Sequence, residues 1–212
     1  MRNRYQDYVI KDGQFVGKFD EMYRHSDEIP WHQDETVDAI FSDLTVALLK
    51  KRRIRSLLDV GCGLGFMTER FRLEIPELKY LVGLDISETA ISKAKQMFPE
   101  ITFIAGTVNS LRGDNKYDVV VSKDVLWYVL NTLSDYLTAL AKISNRWIYI
   151  GQSFPESKDF YGKDIFPDAN SLIKHLKDNV AGEIVYSLIE KDADYSNREY
   201  VHIIVELERA NT

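Results

Sequence analysis

Leu57-Leu58-Asp59-Val60-Gly61-Cys62-Gly63-Leu64-Gly65 is the stretch that decides the fold. Leu57, Leu58 and Val60 have the run length and branching of a strand buried on both faces. Gly61, Gly63 and Gly65 then let the chain turn sharply and bring bare backbone against a ligand. The next apolar run, Tyr80-Leu81-Val82-Gly83-Leu84, ends at Asp85. That is about twenty residues beyond Gly65, a spacing that sets a carboxylate at the tip of the neighbouring strand, where it can grip the two hydroxyls of a ribose.

Outward from this turn the chain alternates. Strands are expected at 56–60, 79–84, 101–105, 117–122 and 146–152, and helices at 65–74, 87–98 and 133–144. Such alternation means an α/β fold, a parallel sheet covered by helices on both faces. The rhythm breaks after Pro155 and Pro167, where a helix from Asn170 to Asn179 precedes two extended runs, Glu183–Lys191 and Arg198–Glu208. The turn Asp192-Ala193-Asp194-Tyr195-Ser196-Asn197 joins them, so they must pair antiparallel. Upstream, Val37, Ile40, Phe41, Leu44, Ala47 and Leu48 recur at helical spacing and predict one helix from Glu35 to Lys51. Residues 1–34 carry many aromatics without periodicity and read as an arm or lid ahead of a single domain, 35–212.

A chain of 212 residues buries a large core without disulfides. Its formal charge of −6, with signs interspersed, does not favour nucleic acid as a partner. Cys62 is the single cysteine and has no metal-type spacing around it. It reads as a small buried filler of the turn rather than a nucleophile, in a reducing, cytoplasmic setting. No apolar stretch has membrane-spanning length, and the charged start Met1-Arg2-Asn3-Arg4 has no apolar region after it, so neither secretion nor membrane insertion is expected.

Glycine spacing separates two ligand classes. Dinucleotide folds use G-x-G-x-x-G before a helix that faces a pyrophosphate, whereas this chain has G-x-G-x-G followed by Phe66. Leu58 to Gly65, taken with Val82-Gly83-Leu84-Asp85-Ile86-Ser87, resembles the class I S-adenosylmethionine-dependent methyltransferases. The resemblance implies a Rossmann-like, doubly wound sheet, mostly parallel, with an antiparallel C-terminal strand. It also implies cofactor contacts. Asp59 would lie near the methionine amino group, with Gly61, Cys62, Gly63 and Gly65 along the methionine and ribose portion. Asp85 would hold the ribose, and Ile86 would pack on the adenine. The third family segment reads Phe103-Ile104-Ala105-Gly106-Thr107-Val108, with Thr107 where many members carry Asp, so the Thr107 hydroxyl or a nearby carbonyl must serve the adenine beside Val108.

Methyl transfer from a sulfonium is an in-line displacement with its leaving group built in. The protein must mainly position the acceptor and, for a hydroxyl, remove its proton. In similar enzymes the end of the fourth strand lies beside the transferred methyl. This puts Ser122 and Lys123 near the sulfonium and directs Asp124, Trp127 and Tyr128 toward the cofactor or acceptor mouth, with Asp124 either an N-cap of the following turn or a base or acceptor anchor. The segment Phe19 to His32 resembles the aromatic opening of small-molecule methyltransferases acting on sugars. By that likeness Tyr23 and Trp31 close over the cofactor, and His32 or His25 takes the acceptor proton. His175 and His202 read as structural. The catalytic candidates are therefore His32, Asp124 and Tyr128, with no metal. The expected function is methylation at O or N of a small polar acceptor, with a sugar or nucleotide-linked sugar preferred. The alternatives are a cofactor-binding module without catalysis and a nicotinamide-dependent oxidoreductase, which shares the strand, turn and acid.

Overall fold

The computed structural model describes residues 5–111, 116–192 and 198–208. A short antiparallel hairpin, β1 (Ile10–Lys11) and β2 (Gln14–Phe15), precedes helices α1 (Phe19–His25), α2 (Gln33–Thr36) and α3 (Ile40–Lys50). The alternating part follows: β3 (Ser56–Val60), α4 (Phe66–Glu74), β4 (Tyr80–Asp85), α5 (Glu88–Met97), β5 (Thr102–Ala105), β6 (Tyr117–Lys123), α6 (Leu133–Ile143) and β7 (Ser144–Phe154). Helix α7 (Ala169–Asn179) then leads to β8 (Glu183–Asp192) and β9 (Arg198–Glu206). Residues 193–197 of the expected turn and the charged start Met1–Arg4 lie outside the described residues.

The main sheet has seven strands in the order β5-β4-β3-β6-β7-β9-β8. Neighbours pair parallel from β5 through β7, and β9 lies antiparallel between β7 and β8. This is the doubly wound, Rossmann-like sheet with an antiparallel C-terminal strand. Strand order reverses between β3 and β6, where crossovers leave to opposite faces and open a crevice at the carboxyl ends. Register sets Val60 beside both Leu84 and Ser122, so the glycine turn, Asp85 and Lys123-Asp124 share one edge.

The period-two pattern of the strands divides the core. Leu58, Val60, Val120, Ile148, Ile150 and Ile203 pack with Leu137, Leu140, Leu172 and Leu176 of α6 and α7. Leu57, Val119, Val121, Tyr149 and Ile204 face Val46, Leu49 and Phe71 of α3 and α4. Both faces are buried, as the β-branched runs require.

The single helix expected over Glu35–Lys51 is two helices. Ala39 is extended (φ −73°, ψ 156°), and the break is held by hydrogen bonds. Ser42 Oγ donates to Thr36 O at 2.8 Å, Ala39 N–H reaches the same carbonyl at 3.2 Å, and the Arg70 guanidinium donates to Val37 O. Periodicity continues across the break, so the apolar pattern alone hides it. The N-terminal segment packs on α5. Asp20 Oδ1 accepts from Ser87 Oγ (2.9 Å) and Thr89 N–H (2.8 Å), while Lys93 Nζ donates to Tyr23 O at 2.6 Å. Among the described residues no helix is long and apolar enough to cross a membrane.

Candidate active site

The three glycines of the turn all have positive φ, 76°, 56° and 84° for Gly61, Gly63 and Gly65. Every N–H from Gly61 to Gly65 has a partner within the protein. Gly61 and Cys62 donate to Leu84 O (2.7 and 3.1 Å), and Gly65 donates to Cys62 O (2.9 Å). Gly63 N–H donates to Asp85 Oδ2 and Leu64 N–H to Gln33 Oε1, each at 2.9 Å. A pyrophosphate cradle needs such groups free. Of the three glycines, only Gly61 lines the cavity. A Cβ at Gly65 would lie 2.7 Å from the Phe103 ring, so Gly65, expected along the ligand, serves close packing of α4 on the sheet. Gly63 is covered by Gln33 and Tyr23.

Two buried carboxyls flank the turn. Asp85 receives N–H groups of Gly63 and Ser87 (2.9 Å each); burial raises its pKa, and those hydrogen bonds oppose the rise. Asp59 accepts from Thr68 Oγ1 at 2.6 Å, and burial pushes it up to about 6 against the Thr68 hydrogen bond and the Lys123 charge. Cys62 is buried and its thiol is pushed well up, so it is not a thiolate at neutral pH.

These shifts bear on stability with definite signs. Asp59 is raised from 3.8 to about 6, so its contribution is full below pH 3.8 and lost as pH rises through 6, about 3 kcal/mol in all. Buried His202 is lowered from 6.5 to about 4, chiefly by burial, so its contribution is full above 6.5 and lost as pH falls through 4. The two oppose each other across the same window. Urea midpoints of Asp59→Asn relative to the unaltered chain should therefore rise between pH 4 and 7. A constant difference would show that Asp59 does not titrate there.

Beyond β6, Asp124 has φ 56°, a left-handed conformation that non-glycine residues adopt at a cost. Its carboxylate accepts from Ser153 N–H at 2.9 Å and Lys123 Nζ at 3.0 Å. The following 3-10 turn, Leu126–Tyr128, has no side-chain cap, so the N-cap role weighed for Asp124 is corrected. Lys123 Nζ also lies 4.7 Å from the centre of the Phe41 ring, which stacks on Tyr200 at 4.7 Å. Behind them runs a buried polar chain in which Tyr149 OH meets Thr45 Oγ1 (2.7 Å) and His202 Nδ1 (2.8 Å), and His202 Nε2 meets Glu190 (3.2 Å). Gly151 leaves room for the Tyr149 and Tyr200 hydroxyls, which a Cβ would meet at 2.9 and 2.4 Å.

A cavity of about 880 Å³ joins these parts. Of the expected residues, Tyr23, Trp31, His32, Asp59, Gly61, Cys62, Asp85, Ile86, Thr107, Val108, Lys123, Asp124 and Tyr128 line it, and Trp127 reaches its edge. Ser122 is fully buried, its hydroxyl 2.8 Å from that of Tyr136. Trp127 is largely core, with its indole N–H on Ser153 O at 3.0 Å. His25 is exposed on α1, and His175 sits edge-on to Phe166 at 5.1 Å. Tyr128 is the hub of the aromatic wall, 5.2 Å from Phe19 and 5.9 Å from Trp31. Sequence reasoning missed Gln33, Phe41, Asn109, Arg198 and Tyr200. Asn109 was within reach of it, two residues past Thr107; the others meet the site only through tertiary packing.

A family model described as a methyltransferase domain matches residues 51–196. Among curated proteins, the malonyl-[acyl-carrier protein] O-methyltransferase of Bacillus cereus is 29% identical over 101 residues, 45% of this chain and 37% of that protein. The dTDP-3-amino-3,4,6-trideoxy-alpha-D-glucopyranose N,N-dimethyltransferase of Streptomyces venezuelae is 36% identical over 67 residues, 32% and 27% of the two chains. The chain thus spans less than half the length of these relatives. Among solved structures, the N-methyltransferase NodS of Bradyrhizobium japonicum WM9 with S-adenosyl-l-homocysteine superposes with a TM-score of 0.66 at 16% identity, covering 90% of this chain and 99% of that one. Magnesium protoporphyrin IX methyltransferase of Synechocystis PCC 6803 with bound SAM gives 0.61 at 21% identity, covering 95% and 94%. At these identities the likeness is one of fold.

Proposed function

This chain belongs to the methyltransferase-domain family, and from that premise we propose that it uses S-adenosylmethionine to methylate O or N of a small polar acceptor, a sugar or nucleotide-linked sugar. The observation that carries the cofactor half is Asp85, buried at the tip of β4 within the cavity, beside Ile86 with 58% of its surface exposed. A carboxylate next to an uncovered apolar face suits a ribose diol and the purine attached to it. Val108 adds a second apolar face, and Asp59 supplies an anion for an ammonium. When bound, S-adenosylmethionine supplies a methyl group activated by its sulfonium.

The chain's own residues do the rest. Tyr23, Trp31, Phe19 and Tyr128 form a wall that excludes water from the methyl-bearing end. Asp124 accepts the acceptor's proton, held in place by Ser153 N–H and Lys123. His32, at the mouth with its side chain 51% exposed, is the second candidate. Phe41, Tyr200 and Tyr5 add aromatic carbon to the cavity lining, which suits the C–H groups of a sugar ring, and the amino-sugar methyltransferase among the relatives supports this class.

Binding of the cofactor's ammonium requires ionised Asp59. Affinity for S-adenosylhomocysteine should therefore fall below pH about 6, with a proton released on binding near that pH. Calorimetry in buffers of different ionisation heat checks this, and Asp59→Asn should abolish the released proton. The acceptor is tested with methyl-labelled S-adenosylmethionine and a panel of free sugars, amino sugars, nucleotide-linked sugars, peptides and oligonucleotides. Label should pass to a sugar or nucleotide-linked sugar, and Asp124→Asn should lower turnover about a hundredfold or more while S-adenosylhomocysteine still binds. Labelling confined to peptides or oligonucleotides would overturn the acceptor class.

A further inference from the structure

We infer that Gln33 is a latch that closes the N-terminal segment over the bound cofactor and sets how slowly it leaves; this rests on the cofactor reading above. The Gln33 carboxamide lies where a side chain at Gly63 would be, since a Cβ there would sit 2.5 and 2.6 Å from its two polar atoms. Both ends of the carboxamide are used. Oε1 accepts from Leu64 N–H and Nε2 donates to Tyr23 OH, each at 2.9 Å. One side chain therefore ties the N-terminal segment to the glycine turn at the edge of the cavity, next to Asp85.

The segment it holds is under strain. Trp31 and His32 are consecutive left-handed residues, with φ 56° and 49°. Neither is glycine, and such conformations persist only where surrounding contacts hold them. This bend carries the Trp31 ring to Tyr5 (5.8 Å), Tyr23 (6.1 Å) and Tyr128 (5.9 Å), closing the aromatic wall. Helix α1 is anchored separately, through Asp20 on the start of α5 and Lys93 on Tyr23 O. Residues 26–33 can therefore open without unseating α1. Release of Gln33 frees the strained pair, and the wall opens on the cofactor.

The test uses the full chain, S-adenosylhomocysteine as probe and stopped-flow tryptophan fluorescence. Gln33→Ala should speed ligand release about tenfold or more, with the association rate changed less than about threefold. Tyr23→Phe, which keeps the ring and loses only the hydroxyl, should shift release the same way, and the double variant should add little to the larger single effect. The thermal midpoint of the ligand-free protein should fall by no more than about 2–10 °C, the loss of these two hydrogen bonds, so release is read on folded protein at about 25 °C. Release within twofold of the unaltered chain, or fully additive effects, would overturn the latch alone. Failure of the unaltered chain to bind the probe would overturn the cofactor reading and the latch with it.

Discussion

Asp85→Ala is expected to cut affinity for S-adenosylhomocysteine by about 150-fold or more, the largest loss of any single side chain. Two effects add. A carboxylate that grips two ribose hydroxyls makes charge-assisted hydrogen bonds worth about 1.5–3 kcal/mol each. The same carboxylate also receives Gly63 and Ser87 N–H, so its removal strips the glycine turn and the start of α5 of a buried acceptor. Asp85→Asn separates the two effects. Its carbonyl keeps one of the two N–H bonds, so the turn is partly held while the charge is gone. Isothermal titration of the three proteins at pH 7 gives the ranking: the unaltered chain tightest, Asn weaker and Ala weakest. Equal affinity in all three would remove Asp85 from the site.

Gly61→Ala should damage stability and binding together. Gly61 has φ 76°, which costs an L-residue about 1–2 kcal/mol, and its Cβ would meet Val125 Cγ2 at 2.4 Å. Overpacking adds about 1–3 kcal/mol, because Val125 lies in the loop just beyond β6. The sum corresponds to a fall in melting temperature of about 5–15 °C for a domain of this size. Pushing Val125 also displaces the backbone next to Asp124, so S-adenosylhomocysteine affinity should drop in the protein that still folds. The contrast is Gly13→Ala in the distant hairpin turn, where φ is 74° and nothing lies within 4 Å of an added Cβ. That variant should show the strain alone and bind normally. If Gly61→Ala melts and binds as Gly13→Ala does, the close approach at the turn carries no weight.

Much of this architecture was legible from local pattern. Leu57 to Gly65 and Tyr80 to Asp85 announce their strands through apolar runs ended by a turn or an acid, because burial on both faces demands such runs. The paired extended stretches before and after Asp192–Asn197 could only meet antiparallel. What escaped depends on contacts distant in sequence. The stack of Phe41 on Tyr200 and the bonds from Gln33 to Leu64 and Tyr23 arise only once the chain has folded. The break at Val37–Ala39 is held by Arg70, more than thirty residues on. Gly65 looked equivalent to Gly61, yet Phe103, on a separate strand, makes it a packing glycine. Position before a turn left Asp124 open between an N-cap and a base or acceptor anchor, and its left-handed backbone sends the carboxylate to Ser153 and Lys123 rather than to a cap.

The central claim is that the cavity at the reversal of strand order takes an S-adenosyl ligand rather than a dinucleotide. Calorimetric titration of the full chain at pH 7 with S-adenosylhomocysteine, and separately with oxidised nicotinamide dinucleotide, tests it most directly. One S-adenosylhomocysteine should bind per chain, with no heat from the dinucleotide at the same concentration. Binding of the dinucleotide with S-adenosylhomocysteine unbound would contradict it.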